Sequence, residues 1–247
     1  MNPGGAPPGL GLDADRFVAA HGFRCALAAD VVLVYDLSLA PPAPWYRRVA
    51  GRIDRQRHPF RAVLHGDDQV DLVVSAGPGA PVAGVTIELL ATFGARRVVS
   101  VGVAAGDHRT RPATSYLLDR AADPLGHLPC PGGEPTPRSG PLFDRLRDGV
   151  EGVASAHTTL WPFRVDPVDV LSPPNGSTTS SPTVIEMEAR ALFAVGDLTG
   201  VDVQAVVVTS DHFDHRGRWH LGDTAATRTA LERTLRHARQ SLVSTQP

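Results

Sequence analysis

The sequence predicts an α/β fold in a single domain, and three observations carry that expectation. Short valine-rich runs alternate with segments of helical periodicity. Several of those runs end in small or polar residues, as buried strands of such folds do. The 247 residues are enough to bury a substantial core, and no internal repeat or linker interrupts them.

Strands are expected over 29–34, 71–75 and 97–103. Between the second and third, Val82, Val85, Leu89, Leu90 and Phe93 recur at helical spacing, and Gly94 stands where a helix C-cap belongs. Residues 121–141, full of proline and glycine, read as a long surface loop, followed by a strand over 150–154. A second polar loop over 172–182 precedes Ile185, Ala189, Leu192 and Phe193, which share one helical face. The almost wholly apolar run 203–208 reads as a central strand. Asp223 is the expected N-cap of a last helix that buries Leu231, Leu235, Ala238 and Leu242. Residues 1–12 lack the charged and apolar regions of a signal peptide and are expected to form a disordered leader, with 13–247 as the domain of a cytoplasmic protein.

All 24 basic residues are arginine. Without lysine there is no Schiff-base chemistry and no P-loop lysine, so an anion must be gripped by arginine, backbone amides or helix N-termini. The net charge is −2 and no basic run exceeds two residues, so neither a nucleic-acid nor a membrane partner is expected. Cys25 and Cys130 form neither a disulfide framework nor a metal cluster, and no cofactor motif is read.

Chemistry in α/β folds gathers at the carboxyl ends of strands. The run 203–208 opens into Thr209-Ser210-Asp211-His212-Phe213-Asp214-His215, the densest ionisable cluster in the chain. A metal reading of this cluster matches part of the His-x-His-x-Asp-His signature of metallo-β-lactamase-type hydrolases. Ser210 stands where the first histidine belongs, however, and too few ligands follow for a dinuclear zinc site. A second reading pairs Ser210-Asp211 with Glu186-Met187-Glu188 at the start of the preceding helix.

With those residues the chain resembles the nucleoside phosphorylase superfamily, which holds purine nucleoside phosphorylases, uridine phosphorylases and adenosylhomocysteine-type nucleosidases. The similar segments are Ala29-Asp30-Val31-Val32-Leu33, Gly77-Pro78-Gly79-Ala80-Pro81, 94–102, Val184-Ile185-Glu186-Met187-Glu188 with Ala191-Leu192-Phe193, and Val207-Val208-Thr209-Ser210-Asp211-His212. They follow the family's order at near-family spacing over most of the chain. The resemblance implies a three-layer α/β/α domain with a central mixed, partly barrel-like sheet, a homodimer or hexamer, and a small-molecule nucleoside as ligand. It also implies roles. Glu188 accepts hydrogen bonds from ribose hydroxyls beside Glu186, Met187 packs on the sugar, and Ser210 and Gly102 border the substrate. Asp211 gives a proton to the leaving purine, and Arg228 of the last helix assists it. Trp161, with His157 and Phe163 nearby, lies in the segment similar to the family's base-binding stretch.

The phosphate site is where the pattern departs. The family's glycine-containing turn after the first strand is replaced by Tyr35-Asp36-Leu37, Ser100 stands for an arginine and Val103 for a hydroxyl residue. Arg57 resembles the arginine that family members lend to a neighbouring subunit's phosphate. The superfamily's nucleosidases activate water with a carboxylate at the end of the first strand, and Asp36 occupies that region. The expectation is therefore cleavage of the N-glycosidic bond of a purine-type or modified nucleoside, by hydrolysis or with an unusual acceptor. Its alternatives are a phosphorylase using inorganic phosphate at a rearranged site, and a non-catalytic nucleoside-binding protein.

Overall fold

Valine-rich runs buried on both faces form the parallel heart of the sheet. They are β1 (Asp30–Val34), β3 (Val70–Val74), β4 (Arg97–Gly106) and β8 (Asp202–Phe213). The structure is a computed structural model that describes residues 20, 27–35, 60–66, 69–123, 137–159 and 181–243. Outside these residues fall the expected leader, Cys25, Asp36, Arg57, Cys130, Trp161, Phe163 and most of both expected loops. The remaining described strands are β2 (Ala62–Leu64), β5 (Ser115–Ala122), β6 (Gly152–Thr158), β7 (Thr183–Glu186) and β9 (Trp219–Leu221). The helices are α1 (Ala80–Thr92), α2 (Pro141–Arg147), α3 (Ala189–Thr199) and α4 (Thr224–Val243).

The strand order is β2-β3-β1-β4-β7-β6-β5-β8-β9, and β4 also pairs with β8. Strands β4, β7, β6, β5 and β8 thereby close a five-stranded mixed barrel, while β1, β3 and β2 extend from β4 as an open wing. Alternate residues of each central strand feed two cores. Leu33, Val98 and Val203 pack with Ile87 of α1 and Phe193 of α3. Val32, Val99 and Val206 pack with Leu146 of α2 and Leu235 of α4. The result is the expected three-layer α/β/α domain with a mixed, partly barrel-like sheet.

Two polar anchors fix the frame. The buried Asp30 carboxylate takes a bidentate pair from Arg97 at 2.6 and 2.5 Å, joining the starts of β1 and β4, and Arg97 also reaches the Leu242 carbonyl on α4. Asp107, just past β4, exchanges backbone and side-chain bonds with Thr183 at the start of β7. Asp223 caps α4 as expected, accepting from the amides of Ala225 and Ala226, and Leu231, Leu235, Ala238 and Leu242 are buried. Gly94, at φ +100°, ends α1 as expected.

Several expectations need correction. The helix containing Ile185 starts only at Ala189: Thr183–Glu186 is strand β7, because β-branched Thr183, Val184 and Ile185 bridge β4 and β6. Glu186 therefore ends a strand, and Glu188 is the N-cap of α3. The run 203–208 continues to Phe213, so Ser210, Asp211 and His212 lie within β8, held by β4 and β9. Ala121 and Ala122 belong to β5 and Pro141 opens α2, so the expected loop is shorter at both ends. On α1, Val85 is 54% exposed and the buried face is Ala80, Ala83, Thr86, Ile87, Leu89 and Leu90. Small residues let α1 lie close to α3 there: a Cβ on Gly84 would stand 3.4 Å from Val195. The contrast on α1 is testable by urea denaturation. Ile87→Ala is expected to cost about 2–5 kcal/mol of stability, whereas Val85→Ala stays within about 0.5 kcal/mol.

Candidate active site

Strand β4 changes partners midway. Along one edge it pairs with β8 throughout; along the other it pairs with β1 as far as Val101, and with β7 only from Ala105. Residues 102–104 face the gap between the carboxyl ends of β1 and β7, a place where open α/β sheets bind ligands. Tyr35 follows β1 directly, and Glu186-Met187-Glu188 follows from β7.

Glu186 is the keystone of the β7 side. Its buried carboxylate accepts the Thr158 hydroxyl from β6 and, at 2.6 Å each, the backbone amides of Glu188 and Ala189. Three donors satisfy a charge that burial would otherwise expel. Burial raises its pKa, and those donors oppose the rise. Glu188 is held differently: one oxygen accepts the Gly79 amide at 2.7 Å, at the N-terminus of α1. Burial first, and then the charge of Glu186, push the Glu188 carboxyl up to about 7, so of this pair Glu188 takes up a proton near neutral pH. Met187 points its terminal methyl toward Gly79, whose φ of +100° suits glycine alone; a Cβ there would stand 3.9 Å from Met187 Cε.

Across the gap the Tyr35 hydroxyl lies 3.1 Å from Ser100 Oγ, and its ring faces Gly102. Burial first, then the Glu188 charge, raise the phenol pKa well above its usual value, with Ser100 opposing and Glu186 adding. Among the described residues, the charges acting on Glu188 and Tyr35 are carboxylates.

Asp211 lies on the other side of β4. Thr209 pairs with Ala104 and Asp211 with Ala105, so Ser210 is the extra residue of a β-bulge. Ala105 is also the partner of Ile185, which sets Ile185 and Asp211 roughly 10 Å apart across one strand. The Asp211 carboxylate accepts the Ser210 hydroxyl at one oxygen and, at 2.5 Å, the indole N–H of Trp219 at the other. Gly222 permits this: a Cβ there would lie 2.0 Å from the Ser210 carbonyl oxygen. Arg228 sits exposed in the second turn of α4. His212 stacks on His220 at 5.1 Å, and His220 reaches Asp214 at 3.1 Å. Among the described residues no three His, Cys, Asp or Glu side chains are grouped to hold a metal.

The structure thus brings Glu186, Met187, Glu188 and Gly102 to one gap, with Ser210 and Asp211 one strand away; buried His157 lies on β6 beside Ile185. Sequence reasoning missed Tyr35, Thr158 and Trp219 as members of the site. An aromatic ending a buried strand was the available signal for Tyr35, whereas Thr158 and Trp219 come from strands with no periodicity of their own.

This architecture is the nucleoside phosphorylase fold. A uridine phosphorylase from Vibrio fischeri ES114 superposes with a TM-score of 0.64 at 16% identity, over 99% of this chain and 100% of that one. A purine nucleoside phosphorylase from Toxoplasma gondii in complex with immucillin-H gives 0.60 at 15% identity over both whole chains. An AMP nucleosidase from Bacteroides thetaiotaomicron gives 0.57 at 15%, over 87% of this chain and 90% of that one. No protein-family model and no curated protein sequence matches the chain. Among the described residues no helix is long and apolar enough to cross a membrane.

The raised Glu188 carboxyl has a definite signature. Its folded value of about 7 exceeds the ordinary 4.5, so the folded state binds more protons between those values and loses stability as pH rises through them. Glu188→Gln keeps an acceptor for Gly79 and removes the titration. It is expected to melt above the wild type at pH 8, and the difference to shrink toward pH 5, in thermal melts across that range.

Proposed function

We propose that the protein cleaves the N-glycosidic bond of a purine-type or modified nucleoside, using water or an unusual acceptor in place of phosphate. The observation that carries this reading is Glu188, fixed by the Gly79 amide and backed by Glu186 at the partner change of β4. The cleavage passes through a cationic, oxocarbenium-like sugar. A positioned carboxylate both orients ribose hydroxyls and supplies negative charge where positive charge develops. Ribose on Glu188 and Met187 directs the base across β4 toward Asp211. Uridine and purine nucleoside phosphorylases and an AMP nucleosidase share this fold, which supports a nucleoside as the ligand.

In the hydrolytic form, water oxygen bonds to C1′ while the C1′–N bond breaks and its electron pair leaves with the base. Asp36 takes the water proton and Asp211 protonates the base. Trp219 donates to Oδ2 of Asp211 and the Ser210 hydroxyl to Oδ1, and these two bonds orient the carboxyl that serves the base. Arg228 assists from α4, and Trp161 stacks on the base. The protein acts as a cytoplasmic homodimer or hexamer in this reading.

Free-base release from a nucleoside panel tests it directly. Base is expected to appear without phosphate, and Asp211→Asn to lower kcat by about 100-fold or more with little change in nucleoside affinity. A protein that binds nucleosides but releases no base under any condition would instead be a binder.

A further inference from the structure

We infer that Tyr35 selects the acceptor: with Ser100 it fills the corner between β1 and β4, so that the site admits water and shuts out inorganic phosphate. The inference rests on the nucleoside-cleaving reading above and deepens it. Three features of the fold support it independently.

The first is occupancy. Tyr35 follows Val34, whose register with Val74 and Val101 fixes the start of the chain segment, and Ser75 donates to the Val34 carbonyl at 2.8 Å. The ring faces Gly102, and the hydroxyl meets Ser100, which is only 2% exposed. The hydrogen bond between them uses one of the two hydroxyl protons, leaving one donor fewer for an added oxyanion.

The second is the fate of the anion-binding amide. The N-terminus of a 13-residue helix such as α1 ordinarily favours a bound anion. Here the Gly79 amide already donates to Glu188, and the Gly77 amide faces Ser75 Oγ. The chain's own carboxylate stands where an external anion would gain most.

The third is charge. A phosphate at this corner would meet Glu188 and Glu186, the carboxylates that also act on the Tyr35 phenol. Whenever these carboxyls are ionised, Glu188 above about pH 7, a dianion is repelled there and a neutral water is not.

The test uses the full chain and two readouts. Phosphate binding is followed by 31P NMR line broadening and calorimetry, and base release is assayed with and without phosphate. Wild-type protein is expected to bind no phosphate and to release base at a rate indifferent to it. The Tyr35→Gly, Ser100→Arg double variant vacates the corner and restores a bidentate donor. It is expected to bind phosphate about tenfold or more tightly than wild type and to show phosphate-stimulated release. Tyr35→Ala alone should show a smaller gain in binding. Phosphate binding by the wild type overturns the inference, and needs no variant to be seen. So does the absence of any gain in variants whose circular dichroism is unchanged, and in that case hydrolysis by the wild type leaves the reading of function standing. If no base is released under any condition, that reading falls, while the binding data still decide the role of Tyr35.

Discussion

The site exists because β4 cannot keep one partner along its whole length. Ten residues of strand are paired on one edge with β8, but β1 is only five residues long and β7 joins later from the opposite direction. Backbone groups of residues 102–104 are left without a neighbouring strand on that edge, in a region otherwise closed by the barrel. The termini of β1 and β7 converge on that gap, and Tyr35, Glu186 and Glu188 are arranged around it.

That constraint explains why a buried acid pair is tolerated. Glu186 is the device by which β6, β7 and α3 are locked together, since from the end of β7 its oxygens gather donors on β6 and at the start of α3. Removing one partner of such a network is expensive, because the remaining groups stay buried without water. Glu188 bears the cost. With its neighbour committed to structure, it accepts from the backbone of Gly79 and Met187 and faces a like charge. A carboxyl at that spot changes charge near neutral pH.

Much of this was legible in the residues, for physical reasons. Strands buried on both faces announce themselves as apolar runs, and an amphipathic helix with an Asp N-cap announces its own boundary, so β1, β3, β8 and α4 were readable. Asp211 was readable in the ionisable cluster that follows an apolar run, and Glu188 as a carboxylate at the start of a helix. The stretch Thr183–Glu186 was not readable as a strand: four residues merge smoothly with the helix that follows, and only pairing to β4 and β6 distinguishes them. Val85 misled for a related reason, since helical spacing fixes a stripe but not which stripe is buried once Gly84 lets α1 settle against α3. Tyr35 was visible as the loss of a turn glycine; that its hydroxyl reaches a serine 65 positions away is a property of register.

The contact between Gly222 and the bulge at Ser210 couples two parts of the chain with almost no clearance. Trp219 lies three residues before Gly222 on the hairpin arm that returns along β8, and its indole grips Asp211. The hairpin therefore works as a short lever whose fulcrum is a missing side chain. A single methyl group added at the fulcrum would collide with the Ser210 carbonyl and displace the arm that carries the indole. The orientation of the Asp211 carboxyl is thus set partly by a residue with no chemistry of its own.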